Sequence, residues 1–488
     1  MLRTGEQYRD SIRDGRRVWI NGERVKDVTR HPMFKPAVDI RARVYDMAHE
    51  ERYRDALTYQ GENGRSVIAL KLPTEKSDWQ AKRQSTDAVL DDIKGVITRI
   101  GDENIGEMWS LYDGRDVLND VDPKFAQNID RHIERVIEQD LFQVSGNTDP
   151  KGDRSKPPQQ QDPDMLLHAV KETDAGIIVR GAKYETAAAY ANQAFVKPTI
   201  ANWRDQAYSD YAVGFICDLS APNLRFISRT GFAGRAAAED YPLANKFDEI
   251  DTLVVYDDVL VPWENVLFYR HTQAALHIRA TVHRYACLPF VQRNLRMVDL
   301  MIGAALWNVK QTGLEKQQAV QEKLATMACY REGINAHITA AISEVERSPG
   351  GLWMPNQSLM LTGRVLACSQ LHHIMHIARE LCGGQICVTP DAATFRDPEA
   401  GKWLSKFYTL NDEWQAEDRR KLLALARDLL NSDYAGHRLT FQLFAQAPPF
   451  AHLAAVYNNF DWQVPLDRAW EASGLSDRVR GGAKAAAE

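Results

Sequence analysis

Cysteine is scarce in this chain. Six cysteines in 488 residues are too few for a disulfide scaffold, and Cys382 and Cys387 have neither zinc-ribbon nor thioredoxin spacing. Buried free thiols are the expected state for most of them. Long apolar runs are missing as well. None approaches the roughly 20 residues that cross a bilayer, and the opening stretch MLRTGEQYRDSIRDGRR lacks the apolar core of a signal peptide. A cytoplasmic protein with no membrane partner is expected. Neither sign of charge is in excess: Lys and Arg number 60 against 66 Asp and Glu, a formal net charge of −6. No basic run suggests nucleic acid. Three motifs are absent too: a G-x-G-x-x-G after a strand, a P-loop and a G-x-S-x-G elbow. A redox cofactor, if one is used, is not held in the usual strand–glycine–helix crevice.

What is present falls into three stretches. To about residue 140 the pattern reads as helical, with apolar residues at helical spacing in DAVLDDIKGVITRIGDENIGEMWSLY and FAQNIDRHIERVIEQDLF. VSGNTDPKGDRSKPPQQQDPD, Val144 to Asp164, then marks a long irregular loop of the kind that is often functional. From about Leu166 to Tyr269 short apolar runs at period two predict several strands, as in a small barrel or sandwich. After PWENVLFYRH four long amphipathic segments predict a four-helix bundle. The expected fold is therefore α+β and mostly helical. Its parts are an N-terminal helical domain over 1–140, a central β-barrel over 141–270, and a C-terminal bundle with its tail over 271–488.

Two clusters of titratable residues stand out. TVHRYACLPF sets His283 beside Arg284 at the start of a long helical region. Such a pair either completes a buried polar network or faces a reacting centre. HHIMHIARE carries His372, His376 and Glu380 at i, i+4 and i+8. With no H-E-x-x-H pattern or further ligand, the better reading is a helix interface or a wetted face, and no metal is expected.

Several motifs together resemble one family. They are TGEQYRDSIRDGRRVWINGERVKDVTRHPMF, KETDAGIIVRGAK, FISRTGF, DYPLANKFDEIDTLVVYDDVLVPWENVLFYR and NSDYAGHR. The chain is similar to the oxygenase component of the two-component, reduced-flavin-dependent aromatic hydroxylases, which act on 4-hydroxyphenylacetate, chlorophenols and nitrophenols. The resemblance implies an acyl-CoA-dehydrogenase-like fold in the same order of parts and a homotetramer. It implies reduced FAD from a separate NAD(P)H:flavin reductase, dioxygen as co-substrate, and oxygen transfer to a small aromatic ring through a flavin C4a-hydroperoxide.

The same resemblance implies site residues. Arg99 and His283 would be catalytic. A guanidinium stabilises a phenolate, and an imidazole moves a proton near neutral pH. Arg99, Glu103, Ser145, Arg284 and Tyr434 would meet substrate. Ser145, Gly146, Asn147, Lys151, Gly152, Asp153, Arg154, Thr186, Tyr434, Gly436, His437 and Arg438 would meet FAD. Two positions depart from the 4-hydroxyphenylacetate enzymes: Glu103 stands for their tyrosine and Ser145 for their histidine. A carboxylate accepts rather than donates, so a substrate bearing N–H or an amino group would suit Glu103 better than a second anion. Thr186 stands beside Ala187, which occupies the register of the family's flavin-contacting threonine. In the more distant 4-hydroxybutyryl-CoA dehydratases an iron–sulfur cluster uses cysteines where this chain has Arg99 and Glu103, so no cluster is implied. Two alternatives remain: a flavin enzyme acting on acyl thioesters, and a flavin-binding homologue without catalysis.

Overall fold

The computed structural model describes residues 2–100, 103, 105–120, 122–153, 155–198, 206–444 and 447–474. Helices dominate both ends of the chain and two sheets lie between them in sequence. The first stretch is not purely helical. Val18–Ile20 and Glu23–Val25 form a hairpin that joins the larger sheet, and Thr58–Gly61 pairs with Gly64–Val67. Val18–Ile20 runs parallel to Leu224–Ser228. Three residues are too few to show alternation, and the partner lies far along the chain, so the sequence pattern misses this strand.

The six-stranded sheet runs in the order Glu23–Val25, Val18–Ile20, Leu224–Ser228, Asp251–Pro262, Gly176–Thr186, His168–Thr173. The four-stranded sheet runs Val266–Phe268, Gly214–Asp218, Gln193–Val196, Gln143–Gly146. The expected barrel thus takes the form of two sheets, joined at one corner by a bridge between Thr148 and Tyr184. Asp251–Pro262 pairs with Gly176–Thr186 along almost its whole length. That pairing sets Asp251 opposite Thr186 and fixes one wall of the site described below.

The bundle is built on the long helix His283–Gln311, with Gln318–Ser343 packed beside it. Two of the four expected segments are each broken once. Gln357–Ser369 and Leu371–Cys382 are separate helices, as are Ala416–Leu430 and Asp433–Phe444. The second break, at Asn431 and Ser432, turns the last segment so that its helix reaches the β unit, where His437 meets Asp251. No helix among the described residues is long and apolar enough to cross a membrane.

Candidate active site

Helical periodicity through GVITRIGDE fails at Arg99. The helix Asp78–Ile93 ends at Lys94, which is left-handed with φ 58°, and the next helix begins only at Ile105. Gly95 follows because a β-carbon there would lie 2.2 Å from the Phe247 ring. The intervening segment is pinned from behind. Arg41 donates to the carbonyls of Thr98 and Arg99 at 2.9 and 2.7 Å. The Thr98 backbone N–H donates to Glu249 at 2.8 Å, and its hydroxyl bonds the same carboxylate. Arg99 is itself left-handed, φ 59°, and its backbone N–H donates to Glu103 Oε2 at 2.5 Å. Glu103 therefore meets the Arg99 backbone, not its guanidinium, and its other oxygen accepts from Arg293 Nη2. Each oxygen of Glu103 thus takes one hydrogen bond from the protein.

These residues open onto a cavity of about 350 Å³. Thr98, Arg99, Glu103 and Glu107 line it from the N-terminal part, with Ser145, Asn147, Thr148, Tyr184, Thr186 and Asp251 from the sheets. The bundle contributes His283, Arg293, His437, Thr440, Phe441 and Phe444. The volume falls in the usual range of small-molecule sites.

Ser145 is held from two sides. Its hydroxyl donates to Glu107 at 2.9 Å and accepts from Lys197 Nζ at 2.6 Å, while Lys197 also meets Glu107 at 2.5 Å. Burial pushes the Lys197 ammonium down, and the Glu107 carboxylate opposes this. Gly146 sits beside this group because a β-carbon there would lie 2.7 Å from Glu185 Oε1. Glu185 is buried and accepts from the Tyr256 hydroxyl at 2.8 Å. Desolvation raises its carboxyl to about 7, against the lowering effect of Tyr256 and the nearby Lys183, Arg99 and Lys197.

On another wall Asp251 organises three partners. Thr186 donates at 2.6 Å, His437 Nε2 at 2.8 Å and Arg229 Nε at 3.0 Å. Burial raises the Asp251 carboxyl, but these bonds and charges outweigh it and hold it well below the usual carboxylate range. The carboxylate fixes the His437 tautomer and leaves its Nδ1 buried without a partner among the described residues.

His283 and Arg284, adjacent in sequence, part company. His283 lines the cavity. Arg284 instead donates to Asp113 at 2.6 Å, and Asp113 accepts the Gly350 N–H at 2.7 Å, so Arg284 ties a helix end to a turn. The helix Asp433–Phe444 sorts its residues the same way. His437, Thr440, Phe441 and Phe444 lie at i, i+3, i+4 and i+7 and form the stripe that lines the cavity. Tyr434 and Arg438 lie on a different face. Arg438 Nη2 donates to the Phe247 carbonyl at 2.6 Å and to Glu249 at 3.1 Å, and its Nε donates to the Tyr434 hydroxyl at 3.3 Å. Gly436 does not line the cavity either, though a β-carbon there would meet nothing within 4 Å. Lys151, Gly152 and Asp153 are exposed and do not line it. Asp153 closes on Ser155, and Gln161 accepts the Asp153 N–H. Arg154 lies outside the described residues.

Sequence reasoning missed Thr98, Glu107, Asp251, Arg293 and the stripe beyond His437. The stripe was within reach of helical spacing from His437. Asp251 sits inside the quoted FDEIDTLVVYDD block. Nothing local marked Arg293, whose partner Glu103 lies 190 residues away.

Comparisons with known proteins identify the family. A family described as "4-hydroxyphenylacetate 3-hydroxylase N terminal" matches residues 4–268, and one described as "4-hydroxyphenylacetate 3-hydroxylase C terminal" matches residues 272–474. The chain is 28% identical over 473 residues to the oxygenase component of 4-hydroxyphenylacetate 3-monooxygenase from Thermus thermophilus, covering 96% of each. It is 30% identical over 449 residues to the pyoverdin chromophore biosynthetic protein PvcC of Pseudomonas aeruginosa, covering 90% of this chain and 88% of that one. Among solved structures, the oxygenase component of 4-hydroxyphenylacetate 3-monooxygenase complexed with FAD and 4-hydroxyphenylacetate superposes with a TM-score of 0.90 at 27% identity. That match covers 98% of this chain and 99% of that one. An archaeal 4-hydroxybutyryl-CoA dehydratase shares the fold, with a TM-score of 0.88 at 22% identity, covering 97% and 95% of the two chains.

Proposed function

This chain belongs to the 4-hydroxyphenylacetate 3-hydroxylase family, and we propose that it is the oxygenase component of a two-component, FADH2-dependent monooxygenase that hydroxylates a small aromatic ring. The observation that carries this reading is the single cavity to which Arg99, Ser145, Asn147, Thr186, His283 and His437 all contribute. These residues come from the N-terminal part, both sheets and the bundle. Their donors fit a ring system rich in carbonyl and ring-nitrogen acceptors. Arg99 Nε, a donor, and His437 Nδ1, an acceptor once Nε2–H is given to Asp251, are buried with no partner of their own among the described residues.

Ser145, Asn147, Thr186 and His437 would hold the reduced flavin. When bound, FADH2 supplies the electrons with which one atom of dioxygen enters the ring and the other leaves as water. The protein's part is binding, orientation and protonation. The Arg99 guanidinium faces the ring oxygen and favours its ionised form. His283 takes the proton from the ring hydroxyl, which makes the ring more electron-rich at the carbon to be oxidised. The buried pairs Glu107–Lys197 and Glu103–Arg293 keep the floor of the cavity rigid. Glu103 lines this cavity with each oxygen already taking one hydrogen bond from the protein, and we take a phenol-like ring as the substrate class.

FADH2 comes from a separate NAD(P)H:flavin reductase in the cytoplasm, and the chain works as a homotetramer. Self-association is supported by the helices that follow Phe444. Phe450, Leu453, Tyr457, Phe460 and Trp462 are all exposed there, a density of apolar surface that usually marks an interface. The likeness to the dehydratase is one of fold and lends no support to acyl-thioester chemistry.

The test is direct. The protein is supplied with reduced FAD, isotopically heavy dioxygen, and a panel of phenols, anilines and N-heterocycles. A hydroxylated phenol carrying one heavy oxygen is expected. FADH2 binding without labelled product anywhere in the panel would favour a non-catalytic homologue. Turnover of an acyl thioester without reductase or oxygen would favour the other alternative.

A further inference from the structure

Arg293 lines the cavity and is only 1% exposed. One of its three nitrogens is accounted for, since Nη2 donates to Glu103. Nε and Nη1 are buried and meet no acceptor among the described residues. A guanidinium carries five N–H donors in a fixed fork and keeps its charge in proteins. Leaving charged donors dry and unpaired is costly unless a ligand oxygen completes them. Burial pushes the Arg293 pKa down. Glu103 and Glu249 oppose this, while Arg438 and Arg99 add like charge. Arg293 thus shares its surroundings with two further guanidinia, Arg99 and Arg438, and with the carboxylates Glu103 and Glu249.

We propose that Arg293 is a substrate-binding residue that shares with Arg99 the recognition of an ionised oxygen on the aromatic ring, and that Glu103 is the positioning residue that holds both arginines for it. This rests on the reading of the cavity as an aromatic hydroxylation site and deepens it. Glu103 fixes the Arg99 backbone through one oxygen and the Arg293 fork through the other. Arg99 and Arg293 line the same cavity, and a guanidinium with buried donors to spare forms strong charge-assisted hydrogen bonds to an ionised oxygen. The role of the carboxylate at position 103 is then to add a second arginine to the oxyanion site, not to bind an amine.

The probe is 4-nitrophenol, whose ionisation changes its visible absorbance. Full-length protein loaded anaerobically with FADH2 is titrated with the probe across a pH series. In the unmutated protein the bound probe ionises at lower pH than the free probe. Arg293→Gln moves that midpoint back toward the free value and weakens binding of the ionised probe about tenfold to hundredfold, with FADH2 affinity retained. Arg293→Lys keeps the charge but loses the fork, so the midpoint stays low while affinity falls. This variant carries the test if Arg293→Gln does not fold. Glu103→Gln removes a nearby anion and lowers the midpoint further. A purely structural role for Arg293 would leave the midpoint of Arg293→Gln at that of the unmutated protein. A midpoint unchanged in Arg293→Gln overturns the proposal. So does an unmutated protein that binds FADH2 but not the probe, and that result leaves the flavin assignment standing. Failure to bind FADH2 at all overturns the reading beneath it.

Discussion

Glu103 accepts the backbone N–H of Arg99 across 2.5 Å, at a residue whose φ is 59°. The pair shows how the site is built: backbone strain at a functional residue is held in place by a buried acid. A left-handed backbone costs a non-glycine residue about 1–2 kcal/mol. That cost is offset by Arg41, Glu249 and Glu103, which grip the segment from three sides.

Arg99→Gly separates strain from chemistry. Glycine accepts the left-handed backbone freely, so the thermal midpoint is expected to hold or rise. Loss of the guanidinium is expected to lower product formation about 10²- to 10³-fold. Melting curves and product rates measured on the same preparation check this. A fall in stability matching the fall in rate would contradict it.

Glu103→Ala leaves Arg293 buried and uncompensated. Breaking a buried pair from one side costs about 3–5 kcal/mol, and the loss is read by chemical denaturation. Glu103→Gln keeps an acceptor for Arg293 and is expected to cost clearly less. Equal losses in the two variants would mean that the acceptor oxygen adds nothing beyond the charge that both variants lose.

The sorting of the helix Asp433–Phe444 gives a contrast within one turn. His437→Ala removes a cavity-lining hydrogen-bonding ring and one of the three partners of Asp251. FADH2 affinity is expected to fall about tenfold, as for the loss of one hydrogen bond. Tyr434→Phe removes a hydroxyl that meets Arg438 away from the cavity, and FADH2 affinity is expected to stay unchanged. Equilibrium titration under anaerobic conditions measures both. The reverse ordering would put the flavin on the other face of this helix.

Glu185 predicts a pH dependence of stability. Burial raises its carboxyl from 4.5 to about 7. Below pH 4.5 the folded and unfolded chains both hold the proton and the group has no effect. Between 4.5 and about 7 only the folded chain holds it, so its contribution falls as pH rises. Above 7 the penalty is complete, on the order of 3 kcal/mol. Glu185→Gln removes the titration. It is expected to be more stable than the parent above pH 7, with the advantage vanishing near pH 4.5. A stability difference that does not change across this range would show that Glu185 does not titrate with folding.

The order of helices, strands and helices was legible because period two and period 3.6 differ strongly over long segments. Arg99, Ser145, Thr186, His283 and His437 were reached through resemblance, and all five line one cavity. What stayed hidden was direction. His283 and Arg284 are neighbours in sequence but point about 100° apart on a helix, and only His283 reaches the cavity. Arg438 sits next to His437 for the same reason and serves Glu249 instead. Arg293 was invisible because its meaning depends on Glu103, a contact that no local pattern encodes. The parallel pairing of Val18–Ile20 with Leu224–Ser228 was hidden for the same reason.

The most direct measurement is a crystal structure of this chain with FAD and 4-nitrophenol bound under anaerobic conditions. The account predicts the flavin ring against Ser145, Thr186 and His437, and the phenol oxygen between Arg99 and Arg293 with His283 in reach. Flavin bound elsewhere, or a phenol turned away from both arginines, would contradict it.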